Sequence, residues 1–190
     1  MRFFVLYAKK ARTDSNFNLN DLQSAGRMDI LCRCLISSLF LSYKLRENVC
    51  FYANLNGPPK PPVSLCFNTK KLKTIFISER KNAYLIKKVL SEKFDESWKE
   101  TKYGVMVSKK SFQSLIKELK DKPIYILYEK GKNIKEIKIK ENPVFIVGDH
   151  KGIPNDILKY AKYKISLGKK SYLASSCISI INWLCDMEGV

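Results

Sequence analysis

The sequence predicts an α/β domain built around a doubly wound sheet. Short apolar runs rich in β-branched and aromatic residues alternate with stretches whose apolar residues recur at helical spacing. Two glycine-bearing loops near the C-terminal end each follow such an apolar run. Loops at the carboxyl ends of parallel strands form the usual ligand crevice of an open α/β sheet. Topology rules taken alone favour an unknotted sheet.

The predicted strands are short and bounded by polar or glycine- and proline-bearing loops. They are Met1–Tyr7, Val49–Leu55, Val63–Phe67, Thr74–Ile77, Val105–Val107, Pro123–Tyr128, Val144–Val147 and Tyr163–Ser166. A turn is expected at Lys130–Asn133. An exposed edge strand guarded by lysines is then expected through Ile134, Ile137 and Ile139.

The predicted helices follow the 3.6-residue spacing of apolar side chains. They cover Arg27–Tyr43, Asn82–Phe94, a segment from Ser108 or Ser111 to about Lys120, Pro154–Ala161, and the stretch from Ser175 onward. The last helix is apolar on several sides, through Ile178, Ile181, Trp183 and Leu184. That breadth indicates a helix covered by a partner as well as by its own domain.

The charge of the chain points to a polyanionic partner. The formal net charge is +17, from 35 lysines and arginines against 18 acidic residues. Residues 69–140 hold 20 basic and 9 acidic side chains, a net of +11, whereas residues 141–190 have a net of +1. A surface this basic attracts nucleic acid. The alternative is a solvated lysine-rich surface with no such partner.

Chain length and cysteine pattern limit the number of domains and the kinds of site that the chain could form. The 190 residues suffice for one compact domain or a domain with an appended lobe, and we expect a single domain over residues 1–190. None of the six cysteines forms a C-x-x-C pair and there is one histidine, so no metal site is expected. Without a signal peptide or an apolar run of about 18 residues, a cytoplasmic protein is expected.

The two C-terminal loops are the first candidate site. They span Ile146–Pro154 and Ile165–Cys177, and neither matches the common nucleotide-binding glycine motifs. Gly148 and Gly152 permit a close approach or a positive φ, although a tight strand-to-helix connection needs the same residues. The ligand is therefore expected to lie among backbone amides and carbonyls.

Several side chains in these loops fit either a functional role or a purely structural one. Asp149 suits a base or metal ligand, but more often such a residue is a turn or cap. His150 titrates in a useful range, but a lone loop histidine is more often a surface residue. Cys177 has no histidine other than His150 to activate it, which disfavours covalent catalysis.

The start of the last helix offers a further binding element. Ser175 or Ser176 is a candidate cap that leaves free amides for a carboxylate or hydroxyl. Lys169 and Lys170 either meet phosphate or are solvated.

The segment Gly26–Cys34 is the second candidate site. Arg27 and Arg33 are two of only six arginines in a lysine-dominated chain, and arginine presents a planar fork to phosphate or to a base edge. Asp29 lies two residues after Arg27. The alternative is a helix N-terminus at which Asp29 favours the dipole.

Four blocks carry a family resemblance that covers nearly the whole chain: Phe4–Asp14, Gly26–Cys34, Phe145–Gly152 and Ile165–Gly168. The sequence resembles the archaeal tRNA pseudouridine N1-methyltransferases of the SPOUT class, which act on pseudouridine 54 of the T-loop. The resemblance implies a SPOUT-type parallel-sheet domain whose C-terminal part, about residues 123–190, forms a deep trefoil knot. It also implies a homodimer with the knot region in its interface.

The resemblance further implies S-adenosyl-methionine as cofactor, bent within three loops. The residues expected to bind it are Leu127, Gly148, Ser166, Leu167, Gly168, Leu173, Ala174, Ser175, Ser176 and Cys177. Its adenine is expected in an apolar slot held by backbone groups, since no charged candidate stands out there.

The expected reaction needs little chemistry from the protein, because the sulfonium is already an activated methyl donor. Asp29 is the candidate catalytic residue, contacting the base edge and accepting or relaying the N1 proton. Arg27, Arg33 and Lys169 are the candidate RNA-binding residues, and the lysine-rich middle would hold the T-arm of tRNA.

Two alternatives remain open from the sequence. One is another SPOUT RNA methyltransferase, acting on ribosomal RNA pseudouridine N1 or on a ribose 2′-oxygen. The other is a non-catalytic RNA-binding protein that keeps the fold.

Overall fold

The computed structural model describes all residues from Met1 to Val190. Eight strands form one sheet: β1 (Arg2–Ala8), β2 (Val49–Leu55), β3 (Val63–Asn68), β4 (Lys99–Glu100), β5 (Val105–Ser108), β6 (Ile124–Asn133), β7 (Val144–Gly148) and β8 (Tyr163–Ser166). The four α-helices are α1 (Met28–Leu39), α2 (Glu79–Leu90), α3 (Phe112–Glu118) and α4 (Ala174–Glu188).

The sheet is mixed but dominated by parallel strands. Its order is β4-β5-β3-β2-β1-β7-β6-β8. Five neighbouring strands, β2, β1, β7, β6 and β8, run parallel to one another. The strands β3, β5 and β4 add an antiparallel extension beside β2. The predicted α/β class is confirmed, and the parallel half brings the carboxyl ends of β1, β6, β7 and β8 to one side of the domain.

The helices cover both faces of this sheet. Side chains alternate along β1, so that Phe4 and Leu6 belong to a large apolar cluster with α1, α2 and α4, while Phe3 and Val5 face a smaller cluster with α3. All of these β1 side chains are buried, as expected for a central parallel strand. The core is therefore built on the same strands that lead to the candidate loops.

The pairing of β6 with β8 is irregular. Leu127 and Lys132 are both register partners of Ile165, so the register shifts between them. Gly131 lies in this irregular stretch, where a Cβ would stand 2.7 Å from the backbone nitrogen and carbonyl carbon of Ile165. Only glycine fits this approach without displacing β8.

Two predictions for the segment after β3 were wrong, namely a strand at Thr74–Ile77 and the start of α2. No strand forms at Thr74–Ile77, because the Asn82 side chain takes both backbone groups of Phe76: its Nδ2 donates to the Phe76 carbonyl at 2.6 Å, and its Oδ1 accepts from the Phe76 amide at 3.0 Å. The same buried Asn82 lies inside α2, which begins three residues earlier than predicted, after the capping residue Ser78.

Three further differences lie beside the parallel strands. The turn predicted at Lys130–Asn133 is the second half of β6, and the segment after it is a short 3₁₀ turn, Ile134–Glu136, rather than an exposed strand. Ile134 and Ile139 are buried because this segment folds onto the large cluster. The helix predicted at Pro154–Ala161 is reduced to a 3₁₀ turn at Leu158–Tyr160.

Helix α1 ends at Leu39, earlier than predicted, because residues 40–46 fold back in a turn. The Leu41 amide donates to the Lys44 carbonyl at 2.8 Å and the Arg46 amide donates to the Leu39 carbonyl at 2.8 Å. None of the helices is both long enough and apolar enough to span a lipid bilayer.

Candidate functional site

A pocket of about 520 Å³ lies where the carboxyl ends of β6, β7 and β8 meet the first turns of α1 and α4. Its volume is within the usual range for small-molecule and cofactor sites. The position is the one expected for a ligand crevice at the ends of parallel strands. The two candidate segments of the sequence thus face a single cavity.

Most residues predicted to bind the cofactor or RNA line this pocket. They are Leu127, Gly148, Ser166, Leu167, Gly168, Leu173, Ala174, Ser175 and Cys177 from the strand ends and α4, with Arg27 and Arg33 from α1. Three predicted residues are outside the lining: Ser176, Lys169 and Asp29. Lys170, the neighbour of Lys169, lines the pocket instead.

The loop after β7 makes a close backbone contact that requires glycine. A Cβ at Gly148 would stand 2.6 Å from the carbonyl carbon of Gly152 and 2.9 Å from its oxygen. Gly152 itself has a φ of 69°. The close contact holds the two ends of this loop together at the pocket, where His150 and Ile153 also contribute to the lining.

Asp149 holds this loop in place and is not free to bind a metal. Its Oδ2 accepts from the Lys9 amide at 2.7 Å and its Oδ1 accepts from the Lys151 amide at 2.8 Å. The side chain is buried, and His150 Nδ1 lies 3.8 Å from Oδ1. The turn interpretation of Asp149 is the one the structure supports, and no group of three metal-ligating side chains occurs in the protein.

The loop after β8 is shaped by Ser166. Its Oγ accepts from the Gly168 amide at 3.2 Å and donates to the Gly168 carbonyl at 3.1 Å. Gly168 adopts a φ of 122°, which side-chain-bearing residues rarely reach. Together they turn the chain away from β8 and leave backbone groups along the pocket.

Helix α4 opens toward the pocket without a side-chain cap. Its N-cap residue is Leu173, so the prediction that Ser175 or Ser176 caps the helix was wrong. The first amides of an uncapped helix remain available to a negatively charged or hydroxyl-bearing ligand. Burial raises the pKa of Cys177 to about 11, which leaves this thiol protonated near neutral pH.

The opposite wall, at the start of α1, carries two arginines and a buried carboxylate. Asp29 accepts two bonds from Arg27, Nε to Oδ1 and Nη2 to Oδ2, both at 3.0 Å, and a third from Arg33 Nη2 to Oδ2 at 2.6 Å. Asp29 is only 4% exposed, whereas about a third of each arginine side chain is exposed. The carboxylate is thus a buried anchor between two arginines whose other faces meet the pocket.

This pairing keeps Asp29 ionised. Burial raises its pKa, but the hydrogen bonds and charges of Arg27 and Arg33 together outweigh burial and leave the pKa below its usual 3.8. Both carboxylate oxygens are engaged. A carboxylate in this state is a weak proton acceptor, so the arrangement favours positioning of the arginines over acid–base chemistry.

An unusual backbone turn presents Arg27. Gly26 and Arg27 have φ values of 68°, and a left-handed conformation is uncommon for any residue other than glycine. Gly26 packs against the Lys10 carbonyl, which a Cβ at Gly26 or at Gly57 would overlap. The block Phe4–Asp14 is therefore locked to the start of α1, and a strained arginine at a pocket wall is a functional candidate.

Several lining residues, among them Glu129, Ile30 and Tyr172, were not assigned a binding role from the sequence. Glu129 Oε1 accepts from Ser171 Oγ at 3.4 Å, so the lining includes a carboxylate, and the apolar adenine slot stays a prediction. The position of Glu129 directly after the apolar part of β6 could have identified it. Ile30 lies three residues from both Arg27 and Arg33. Tyr172 lies within the candidate loop Ile165–Cys177.

The fold and this cavity define a ligand-binding α/β enzyme whose pocket is bounded on one side by main chain and on the other by two arginines. Residues 1–190 match the family model described as "Putative SAM-dependent RNA methyltransferase", and the chain belongs to that family. The match covers the whole chain.

Named relatives agree with the family assignment. The chain is 42% identical over 193 residues to the tRNA (pseudouridine(54)-N(1))-methyltransferase of Methanocella arvoryzae, covering 98% of this chain and 99% of the relative. It is 40% identical over 203 residues to the enzyme of the same name from Methanocaldococcus jannaschii, covering 100% and 98%. The resemblance inferred from the four sequence blocks is confirmed.

A solved structure shares the fold. The crystal structure of Archaeoglobus fulgidus Nep1 bound to S-adenosylhomocysteine superposes with a TM-score of 0.68 at 15% identity, covering 99% of this chain and 97% of that one. At this identity the likeness concerns the fold alone.

Proposed function

We propose that this protein transfers a methyl group from S-adenosyl-methionine to N1 of pseudouridine 54 in the T-loop of tRNA. The observation that carries the proposal is a pocket lined by the glycine-bearing loops, apolar side chains and the start of α4, facing the Arg27–Asp29–Arg33 cluster. It occurs in a chain about 40% identical, over its full length, to enzymes named for that reaction.

The residues present fit the cofactor. The cavity of about 520 Å³ suits a ligand of that size, and the close backbone contact of Gly148 with Gly152 fixes the loop that lines it. The proposed contacts are Leu127, Gly148, Ser166, Leu167, Gly168, Leu173, Ala174, Ser175 and Cys177, while Ser176 supports them from outside the lining. When bound, S-adenosyl-methionine supplies an activated methyl group. Glu129 is a further proposed contact, as a carboxylate able to accept from ribose hydroxyls.

The protein's own task is then to place the base and its flanking phosphates. Arg27 and Arg33 are proposed to bind the RNA through their exposed edges while Asp29 holds their inner edges. We assign Asp29 a positioning role, because its low pKa and its three hydrogen bonds suit an anchor better than a proton acceptor. Lys169 and its neighbour Lys170 are proposed phosphate contacts.

Substrate choice follows from the chemistry of N1. In pseudouridine the glycosidic bond is made by carbon, so N1 carries a proton that a methyl group can replace. In uridine the same nitrogen is bonded to the ribose. A pocket that presents N1 to the methyl donor therefore has no reaction to perform on unmodified uridine.

The C-terminal knot, about residues 123–190, is proposed as part of this architecture. Its support is the register shift between β6 and β8 at residues 128–131, where Gly131 approaches the backbone of Ile165 closely. One sheet running through all eight strands likewise supports a single domain over residues 1–190.

A homodimer is proposed from the outer face of α4. Trp183 and Met187 are 59% and 71% exposed on a helix whose inner face is already buried. Exposed large apolar side chains grouped on one helix are typical of an interface. Light scattering of wild type and Trp183→Lys tests this: a dimer that becomes a monomer supports the proposal, and a wild-type monomer overturns it. A cytoplasmic location remains a prediction.

The reaction is tested by mass spectrometry of tRNA after incubation with protein and S-adenosyl-methionine. Transcripts carrying pseudouridine at position 54 should gain 14 Da in the T-loop fragment, and the matched transcript with uridine at position 54 should gain nothing. Methylation of a ribose or of ribosomal RNA alone would transfer the assignment to another RNA methyltransferase. Calorimetry with S-adenosyl-methionine separates a non-catalytic RNA binder, which gives no heat.

A further inference from the structure

The outer face of α2 carries a stripe of cationic and aromatic side chains. The stripe, which we call the α2 face, consists of Arg80, Lys81, Tyr84 and Lys88, and all four are exposed. Their spacing places them on one side of the helix, opposite the buried Leu85, Ile86 and Val89. From Arg80 to Lys88 the stripe is about 12 Å long at the rise of an α-helix.

The charges on the α2 face have no acidic partner. Arg80, Lys81 and Lys88 form no ion pair, although other lysines of the chain do. Lys88 Nζ lies 5.1 Å from the centre of the Tyr84 ring, and about half of Tyr84 remains exposed. By contrast, the adjacent Lys87 is committed to the fold, since its Nζ donates to the Phe17 carbonyl at 2.8 Å. Few lysines of the chain form an ion pair, so what distinguishes the α2 face is a half-exposed aromatic ring set among unpaired cations.

The α2 face begins next to the charged wall of the pocket. Glu79 in the first turn of α2 lies 3.7 Å from Arg33, measured from Oε2 to Nη1. Arg33 lines the pocket, and Arg80 follows Glu79 directly. A polynucleotide that enters the pocket past Arg33 therefore meets the α2 face next.

We propose that the α2 face binds unpaired nucleotides of the tRNA substrate beyond the base that reacts. Tyr84 stacks on one base, and Arg80 and Lys88 contact the phosphates beside it. Aromatic rings bind single-stranded bases by stacking whatever the base, and clustered cations follow the backbone. The inference rests on the proposed function, since it names a second contact region for the same substrate.

The test compares tRNA affinity among variants at about 0.15 M salt by fluorescence anisotropy, with tRNA carrying pseudouridine 54. One variant reverses charge on the α2 face, Arg80→Glu with Lys88→Glu. Its matched control is Lys117→Glu with Lys120→Glu, two exposed lysines at the end of α3 on the opposite face of the sheet. Tyr84→Ala and Tyr84→Phe separate stacking from simple bulk. Calorimetry with S-adenosylhomocysteine and thermal melting show whether each variant keeps its pocket and fold.

The α2-face double variant should lose about tenfold or more in tRNA affinity, with a shallower salt dependence, while cofactor binding stays unchanged. Tyr84→Ala should lose about tenfold, and Tyr84→Phe should retain most of the affinity because the ring remains. Equal losses in the α2 and α3 double variants, or wild-type affinity in both Tyr84 variants, would overturn the inference alone. If the wild-type protein binds no tRNA, both this inference and the proposed function are overturned.

Discussion

The two walls of the pocket differ in what shapes them, which is loop backbone on one side and charged side chains on the other. The wall at the ends of β7 and β8 consists of two tight loops whose backbone is shaped by glycines and by the Ser166 side chain. The wall on α1 is made of side chains, in which a buried Asp29 holds two arginines. In the tight loops, an added side-chain atom is expected to disturb the shape of the pocket. In the charged cluster, removal of a charge is expected to release the arginines. The two walls therefore call for opposite kinds of mutation.

The largest effect is expected from adding one carbon to the backbone wall. Gly148→Ala places a Cβ 2.6 Å from the carbonyl carbon of Gly152, and the loop must move to relieve the overlap. Overpacking of about 1–3 kcal/mol corresponds to a loss of about 5- to 150-fold in cofactor affinity if the strain is released at the pocket. Calorimetry with S-adenosylhomocysteine measures it.

The matched control adds the same carbon far from the pocket. Gly189 ends α4 at a φ of 70° with no atom within 4 Å of an added Cβ. Gly189→Ala should cost about 1 kcal/mol of stability through backbone strain while cofactor affinity is unchanged. If Gly148→Ala binds the cofactor as wild type does, the backbone wall is not where the cofactor sits.

On the charged wall, Asp29→Asn should lower methyl transfer about tenfold, because each charge-assisted hydrogen bond contributes about 1.5–3 kcal/mol and two arginines lose their anchor. Cofactor affinity should change little, which is the opposite of the Gly148 result. Single-turnover rates at saturating tRNA, together with tRNA affinity, provide the measurement. Unchanged rates and affinity would remove Asp29 from any role at this site.

The pH dependence of stability sharpens the role of Asp29. Its folded-state pKa lies below the usual value, so its contribution is complete above about pH 4 and is lost as the pH falls through the folded-state pKa. The difference in unfolding free energy between wild type and Asp29→Asn should be about 1–2 kcal/mol at pH 7. Urea denaturation at a series of pH values should show that difference shrinking below pH 4. A constant difference would contradict the ion-pair account.

The smallest effect is expected from the other carboxylate near Arg33. Glu79 is about 39% exposed and lies 3.7 Å from Arg33, compared with 2.6 Å for the buried Asp29. Exposed ion pairs contribute little, so Glu79→Gln should change stability by less than about 1 kcal/mol and turnover by less than about threefold. The same urea and single-turnover assays apply. A larger effect than that of Asp29→Asn would reverse the ranking of the two anchors.

Local sequence signals located the parallel strands well. The boundaries of β2 and β8 were predicted to the residue, because dense apolar and β-branched runs end there at polar or glycine-bearing segments. Prediction failed where a distant side chain decided the outcome. Asn82 satisfies the backbone of Phe76 and removes a strand, and burial of Ile134 turns a lysine-guarded segment inward. Neither contact is visible in a local window.

The candidate site likewise combines features that local sequence reveals with features that depend on distant contacts. The glycine loops and the two arginines were identifiable from residue type and position, and the structure brings them to one cavity. The role of Asp29 was not identifiable, since its double pairing depends on the left-handed turn at Gly26 and Arg27. Glu129 was not assigned to the site because the strand was predicted to end at Tyr128, whereas β6 continues to Asn133. Roles that depend on partners required the three-dimensional arrangement.

The two outer strands of the sheet have a consequence for behaviour in crowded solution. Open strand edges pair with other chains and seed aggregates unless they are short, charged or covered. One outer strand, β4, is only the charged pair Lys99 and Glu100, and the other, β8, has four residues and contains Lys164. Neither end of the sheet therefore offers a long apolar edge to which another chain could add a strand.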